Sequence, residues 1–212
     1  MNKVKLTGVF MGVEFSHETH KEKFYTGTIS TKRHSGNDDI IPIMVSERLL
    51  DKMVSEGQRI SIDGEYRSYN KIDNGKSKCM LFVFVKNVYE ASEKDENTIE
   101  LEGFICRNTG VRQTPQHRTI TDIIVAVNRI TRRSDYIPCI VWGDRAKYVA
   151  GFDIGTKVSL LGRIQSRQYD KSTPNGIEKR IAYEVSISEI GKVEDTIDDF
   201  EGIFDDLDEI DE

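Results

Sequence analysis

The sequence predicts an all-β protein made of two similar halves, each with one short helix, followed by an acidic C-terminal tail. Three observations support this fold class. Apolar residues occur in short runs with alternating faces, such as Ile137–Val141. Segments of the first half recur in the same order in the second half. Residues 193–212 contain 11 Asp and Glu and no Lys or Arg, which predicts a disordered tail.

The repeat divides the chain into domains. The segment NKVKLTGVF from Asn2 matches NTIELEGFI from Asn97, and DIIPIMV from Asp39 matches DYIPCIV from Asp135. Ordered matches of this kind are the signature of a duplicated domain. We therefore expect a domain at residues 1–90 (the first half), a polar linker at 91–96, a second domain at 97–194 (the second half) and the tail at 195–212.

Each half is predicted to run strand, strand, strand, helix, strand, strand. In the first half the helix spans Ser46–Glu56 and ends before Gly57, since glycine commonly follows a helix. Glycines inside the strand patterns predict bulges or sharp bends, and the Asn-Gly pairs at 74–75 and 175–176 predict hairpin turns. The strands of the first half are Lys3–Met11, Phe24–Lys32, Ile40–Val45, Arg59–Ser68 and Lys78–Tyr89; the glycines are Gly8, Gly64, Gly103 and Gly162.

Composition excludes few functions. There is no apolar run of about 18 residues and no signal-peptide pattern, so neither a membrane span nor secretion is expected. Cys79, Cys106 and Cys139 each lie in an apolar run, which predicts free thiols in a cytoplasmic protein. The net charge of −6 is misleading because Lys+Arg exceed Asp+Glu by 15 to 13 in residues 1–94 and by 15 to 12 in residues 95–192. The body is therefore mildly basic, and binding to nucleic acid is not excluded.

The second apolar run of the second half predicts a binding surface. Ile137, Cys139 and Val141 alternate with outward-facing residues, among which are Tyr136 and Trp142. Several arginines lie close by in the sequence. Aromatic rings stack on any base and guanidinium groups hold phosphates, so this pattern suits a single-stranded nucleic acid.

The same stretch resembles a known family. SDYIPCIVWGDRAKYVA, followed by GTKVSLLGRIQSRQYD and YEVSISEIGKVE, is similar to bacterial-type single-stranded DNA-binding proteins, over residues 97–194. The resemblance implies that each half is a five-stranded oligonucleotide-binding barrel, an OB fold. It also implies that Tyr136, Trp142 and Tyr169 stack on bases. Because the family commonly assembles four barrels, two barrels in each chain imply a homodimer.

Other binding residues are predicted from charge and position. The first half departs from the pattern, with Ile40 in place of Tyr136 and Ser46 in place of Trp142, so we expect it to bind more weakly. Expected phosphate contacts in the second half are Arg107, Arg112, Arg129, Arg132, Arg133, Arg145, Arg163, Arg167 and Lys171. Expected weaker contacts in the first half are Tyr66, Tyr69, Lys32, Arg33, Arg67 and Lys71.

The tail carries apolar residues at spacings of three and four, namely Phe200, Ile203, Phe204 and Leu207. They would line one face of a helix on docking, and the resemblance implies that such a tail captures replication and repair proteins. It also suits a plain solubilising role. His17 and His20 lack a third ligand nearby, and no catalytic grouping occurs. We therefore expect no metal, no cofactor and no enzymatic activity.

The function expected from these patterns is sequence-independent binding of single-stranded DNA in replication, recombination and repair. Two alternatives remain open. The barrels could scaffold a protein assembly, with DNA secondary, or they could bind RNA, since stacking alone does not sense the 2′-hydroxyl.

Overall fold

The computed structural model describes residues 1–33, 35–73, 76–173 and 176–193. Strands dominate both halves of this part of the chain, and no helix in it is long and apolar enough to cross a membrane. The first half contains β1 (Asn2–Thr19), β2 (Glu22–Lys32), β3 (Asp38–Ser46), a 3-10 helix (Glu47–Lys52), β4 (Arg59–Asp73) and β5 (Lys76–Tyr89). The second half contains β6 (Glu96–Gln113), β7 (Thr119–Asn128), β8 (Ser134–Trp142), α1 (Asp144–Ala150), β9 (Lys157–Thr173) and β10 (Gly176–Lys192).

Strand pairing closes a barrel in each half. In the first, β1 pairs with β2, β2 with β3, β3 with β5, β5 with β4, and β4 with β1. In the second, the same ring runs β6, β7, β8, β10, β9 and back to β6. Only β3–β5 and β8–β10 are parallel among the pairings of the described residues. The predicted all-β fold class is confirmed.

The barrel cores follow from the period-2 pattern of the strands. Ile137, Cys139 and Val141 of β8 are at most 2% exposed, as are Ile41 and Ile43 at the matching positions of β3. The four strand glycines lie where a neighbouring strand approaches closely. A Cβ at any of them would overlap a backbone carbonyl oxygen, belonging in chain order to Ser30, Phe84, Ala126 and Ser186. Register shifts occur beside Gly64 and opposite Gly162, as expected of bulges.

Two details of the first half differ from prediction. The helix expected over Ser46–Glu56 is only a 3-10 helix at Glu47–Lys52, because Met53 adopts an extended conformation (φ −76°, ψ 144°) that ends it. Met53 and its neighbour Val54 then pack against the core. The first strand, expected to end at Met11, continues to Thr19 and forms a long arm with β2, in which His17 stacks on Phe24 with 5.3 Å between ring centroids.

Some predicted features lie outside the described residues. The acidic tail is one of them, including Phe200, Ile203, Phe204 and Leu207. Asn74, Gly75 and Asn175 of the expected hairpin turns are others. The strands on either side of these turns do pair as hairpins, β4 with β5 and β9 with β10.

The two halves are joined first through their leading strands. β1 and β6 pair antiparallel from Asn2 opposite Leu101 to Thr7 opposite Glu96. The segment before β6 is also fixed, because the Asp95 carboxylate accepts a hydrogen bond from the Lys32 backbone N–H at 2.6 Å and pairs with Arg59 at 2.6 Å.

A second join consists of two reciprocal contacts, which we call the Arg–Asp clasps. In one, Arg129 is bound to the buried Asp135 of its own half, and both groups hydrogen-bond to the backbone of Ser68 in the other half, at 3.1 and 2.5 Å. In the other, Arg33 and the buried Asp39 bind the backbone of Ser166, at 3.1 and 2.7 Å. Each half therefore hydrogen-bonds one of its ion pairs to the strand backbone of the other half.

Candidate nucleic-acid interface

The outward face of β8 carries the two aromatic residues predicted there. Tyr136 is 53% exposed and Trp142 is half-buried, while the alternate residues of β8 fill the core. The Trp142 indole N–H donates to the hydroxyl of Ser186 on β10 at 3.2 Å. This bond links the indole on β8 to the neighbouring strand β10.

A third ring extends this face. Tyr136 lies opposite Ala126 on β7, and Ala126 lies opposite Phe104 on β6. Phe104 is 39% exposed, and the small Ala126 between the two rings keeps the surface open. The sequence analysis missed Phe104, although its alternation with the buried Leu101 and Ile105 would have placed it outside.

The β9–β10 arm supplies the remaining predicted aromatic. Tyr169 is 36% exposed and lies opposite Arg180 on β10. The guanidinium of Arg167 lies 5.7 Å from the centre of the Tyr169 ring, within the range of a cation–π contact. Arg167 also lies 3.9 Å from Glu184, yet its side chain is 58% exposed. Arg180 was not predicted, because nothing local in the sequence pairs it with Tyr169.

Apart from Arg167, the predicted phosphate contacts fall into two groups. Those in the first group are exposed and form no ion pair within the described part of the chain, so their charge is available to a phosphate backbone. These are Arg107, Arg132, Arg133, Arg145 and Lys171.

The second group is already paired with carboxylates, which corrects two predictions and leaves Arg112 as a prediction. Arg129 is held in its clasp, and its hydrogen bond to Asp135 raises the pKa of the guanidinium. Arg163 pairs with Asp39 at 3.1 Å, and burial lowers its pKa. Arg112 is bound to Asp122 on the neighbouring strand. Arg129 and Arg163 bind buried carboxylates where the halves meet and act as structural residues, whereas the Arg112 side chain is 50% exposed in a surface ion pair.

The first half also requires corrections. Tyr66 is fully buried, and its hydroxyl has no hydrogen-bond partner in the described structure, so it offers no stacking surface. Arg33 is held in the other clasp. Arg67 lies 3.8 Å from the centre of the Phe84 ring and pairs with Glu65 at 2.8 Å. The remaining three predicted residues lie at the surface, namely Lys32, Tyr69 (43% exposed) and Lys71.

Comparison with known proteins agrees with this geometry. Residues 96–193 match the family model described as the single-strand binding protein family. Single-stranded DNA-binding protein 1 of Lactococcus lactis is 33% identical over 81 residues, which are 35% of this chain and 54% of that protein. The single-stranded DNA-binding protein of Halalkalibacterium halodurans is 34% identical over 83 residues, 36% of this chain and 49% of the relative. The chain thus spans about half the length of these relatives.

The fold of the whole chain has a counterpart among solved structures. The wild-type single-stranded DNA binding protein from Thermus aquaticus superposes with a TM-score of 0.73 at 16% identity, covering 92% of this chain and 93% of that one. At this identity the likeness concerns the fold. The match to the single-strand binding protein family thus covers residues 96–193, the second half of the chain.

Proposed function

We propose that the protein binds single-stranded DNA without sequence preference and protects it during replication, recombination and repair. The observation that carries the proposal is the set of rings on β6 and β8, namely Phe104, Tyr136 and Trp142, with unpaired arginines on β6 and in the β7–β8 turn. Rings of this kind stack on any base, and the arginines neutralise phosphates. The family match over residues 96–193 supports single-stranded DNA as the ligand.

The proposal includes an organisation of the chain. Residues 1–90 and 97–194 are two OB domains joined by a linker at 91–96, and the second binds DNA more strongly because the first lacks Tyr136 and Trp142 equivalents. Two chains form a homodimer with four barrels, a closed two-fold assembly of the commonest kind. Light scattering should give twice the chain mass of 24.2 kDa. The setting is the cytoplasm, at the nucleoid, and the acidic tail recruits replication and repair proteins.

Titration of intrinsic fluorescence tests DNA binding directly. Trp142 is the one tryptophan of the sequence, so quenching by poly-dT reports on the proposed surface. The logarithm of the affinity should fall with the logarithm of salt, with a slope of about 0.7 for each phosphate contact. Trp142→Ala should weaken binding, followed by anisotropy of a labelled oligomer, by about 1–3 kcal/mol while leaving the far-ultraviolet dichroism unchanged.

Two results would contradict the proposal. An affinity that does not vary with salt would exclude the phosphate contacts, and the scaffold function would then be favoured. A preference for poly-U over poly-dT in competition would identify RNA as the ligand instead, because RNA differs from DNA at the 2′-hydroxyl.

A further inference from the structure

The interface between the two halves has the same anchoring residues on both sides. It consists of the β1–β6 pairing and the two Arg–Asp clasps. Each half supplies an arginine and an aspartate to its own clasp, and a serine whose backbone the other clasp binds. The matching residues are Arg33 and Arg129, Asp39 and Asp135, and Ser68 and Ser166. A contact with identical residues on both sides suits two like halves as well as two unlike halves.

The strands between these anchors differ in charge. On β1 the side chains that alternate with the buried core residues are Lys3 and Lys5, and the matching positions of β6 hold Thr98 and Glu100. In the observed ladder Lys3 lies opposite Glu100, and Lys5 lies opposite Thr98. Opposite charges in facing positions of an antiparallel ladder stabilise it, and like charges there destabilise it. The pairing of unlike halves therefore places a cation opposite an anion.

The clasps show a second difference between the halves. Arg163 of the second half lies 3.1 Å from Asp39 of the first, so this buried carboxylate is bound by a cation from each half. The residue that matches Arg163 in the first half is Glu65, since each directly follows a strand glycine. Glu65 forms its ion pairs within its own half. The position that would supply a second cation to Asp135 therefore holds a carboxylate.

The symmetry of the interface shows what a pair of first halves would contain. Lys3 of each would lie opposite Lys5 of the other, because these are the positions that face Glu100 and Thr98 in the observed ladder. Glu65 would take the place of Arg163 beside Asp39. Cations would then face cations on the strands, and a carboxylate would lie next to a buried carboxylate, which is strongly unfavourable.

A pair of second halves would contain no such conflict. Thr98 of each would lie opposite Glu100 of the other, and Arg163 would lie beside the buried Asp135. No two like charges would occupy facing positions of the ladder. The charges of the first half therefore exclude one kind of like pair, whereas those of the second half leave the other open.

We propose that Lys3, Lys5 and Glu65 determine which halves join, so that a first half pairs with a second half and not with another first half. Its partner is the second half of its own chain or, when chains exchange halves at high concentration, the second half of another copy. Specificity of this kind requires repulsion of the wrong partner as well as attraction to the right one. The proposal concerns assembly and does not depend on DNA binding.

Two variants of the full-length chain reproduce the two like pairs within one molecule. In the first-like variant, the second half receives the charges of the first through Thr98→Lys, Glu100→Lys and Arg163→Glu. In the second-like variant, which is the matched control, the first half receives the charges of the second through Lys3→Thr, Lys5→Glu and Glu65→Arg. Each variant changes three residues at matching positions, so their difference reports the effect of charge.

Backbone hydrogen exchange, followed by NMR, measures opening of the interface. The amides of Ser68 and Ser166 donate to carboxylates of the other half, at 2.5 and 2.7 Å, so they exchange when the halves separate. The Ile105 amide donates to the Thr156 carbonyl oxygen within the second half, at 2.9 Å, and reports on that barrel alone. Exchange at the two serines should rise about tenfold or more in the first-like variant and less than about twofold in the second-like variant, with Ile105 unchanged in both.

Two results would overturn the proposal: equal exchange at Ser166 in the two variants, or a rise at Ile105 as large as that at Ser166. If the first-like variant fails to fold, a single charge pair decides the question. Glu100→Lys places a lysine opposite Lys3 and should raise exchange at Ser166 about two- to fivefold. Adding Lys3→Glu recreates opposite charges and should restore the original rate, and a double variant without this recovery would overturn the proposal.

Discussion

At the residue scale, the fold gives different roles to residues that look equivalent in the sequence. Arg129 and Arg132 lie three positions apart in the same basic segment. Arg129 is bound to the buried Asp135 and to the Ser68 carbonyl oxygen, whereas Arg132 is exposed at a turn with φ of 61°. Arg129 therefore stabilises the contact between the halves, whereas Arg132 remains a predicted DNA contact.

This difference predicts opposite effects of the two alanine variants. Arg129→Ala leaves the buried Asp135 carboxylate without its cation and should lower the free energy of unfolding by about 3 kcal/mol. Arg132→Ala should leave stability unchanged and lower the salt slope of DNA binding by about 0.7. Thermal unfolding and salt-dependent titration of both variants measure these effects. A stable Arg129→Ala protein, or an Arg132→Ala protein with an unchanged slope, would contradict the assignment.

At the scale of the elements, the strand glycines decide whether the barrels close. Gly103 lies on β6 where a Cβ would overlap the carbonyl oxygen of Ala126 on β7. Gly191 lies near the end of β10, where a Cβ meets no atom within 4 Å. Only glycine therefore fits at position 103, whereas position 191 has room for a side chain.

A pair of alanine variants tests this point. Gly103→Ala forces β6 away from β7 and should cost several kcal/mol, the size of a severe backbone or packing defect. Gly191→Ala should be neutral, or stabilise by about 0.4–1 kcal/mol through the unfolded state. Urea unfolding followed by dichroism gives both values. Equal midpoints for the two variants would show that the close approach at Gly103 is not limiting.

At the scale of the whole molecule, the charge is divided between body and tail. Residues 193–212 carry 11 acidic residues and no basic ones, while the rest of the chain has an excess of Lys and Arg. A short tether gives the tail a high effective concentration near the basic surface, on the order of millimolar. We therefore expect the tail to compete with DNA.

Deletion of residues 196–212 should consequently tighten DNA binding, and most at low salt, where charges are least screened. Phe200→Ala with Phe204→Ala should leave DNA affinity unchanged and reduce capture of replication and repair proteins. Anisotropy titrations at two salt concentrations measure the first effect, and a pull-down with the full-length double variant measures the second. An unchanged affinity at low salt after deletion would exclude competition.

The sequence alone determined the features that depend on local pattern. The alternation of Ile137, Cys139 and Val141 identified the core side of β8, and hence the outward side that carries Tyr136 and Trp142. The internal repeat predicted two sets of equivalent strands, since the same pattern dictates the same pairing. Period and repetition are properties of neighbouring residues, so they can be recognised without knowledge of the fold.

The tertiary structure decided which charges and rings are free. Arg129 and Arg163 carry charges suited to a phosphate, but each also binds a group that lies far away in the sequence. Asp39 binds Arg163 from 124 positions away, and Ser68 binds Asp135 from 67. A cleft between Tyr69 and Tyr169 likewise exists only because the distant β4–β5 and β9–β10 arms meet. The local sequence shows which contacts a side chain is chemically able to make. The packing of the two halves decides which of these contacts form.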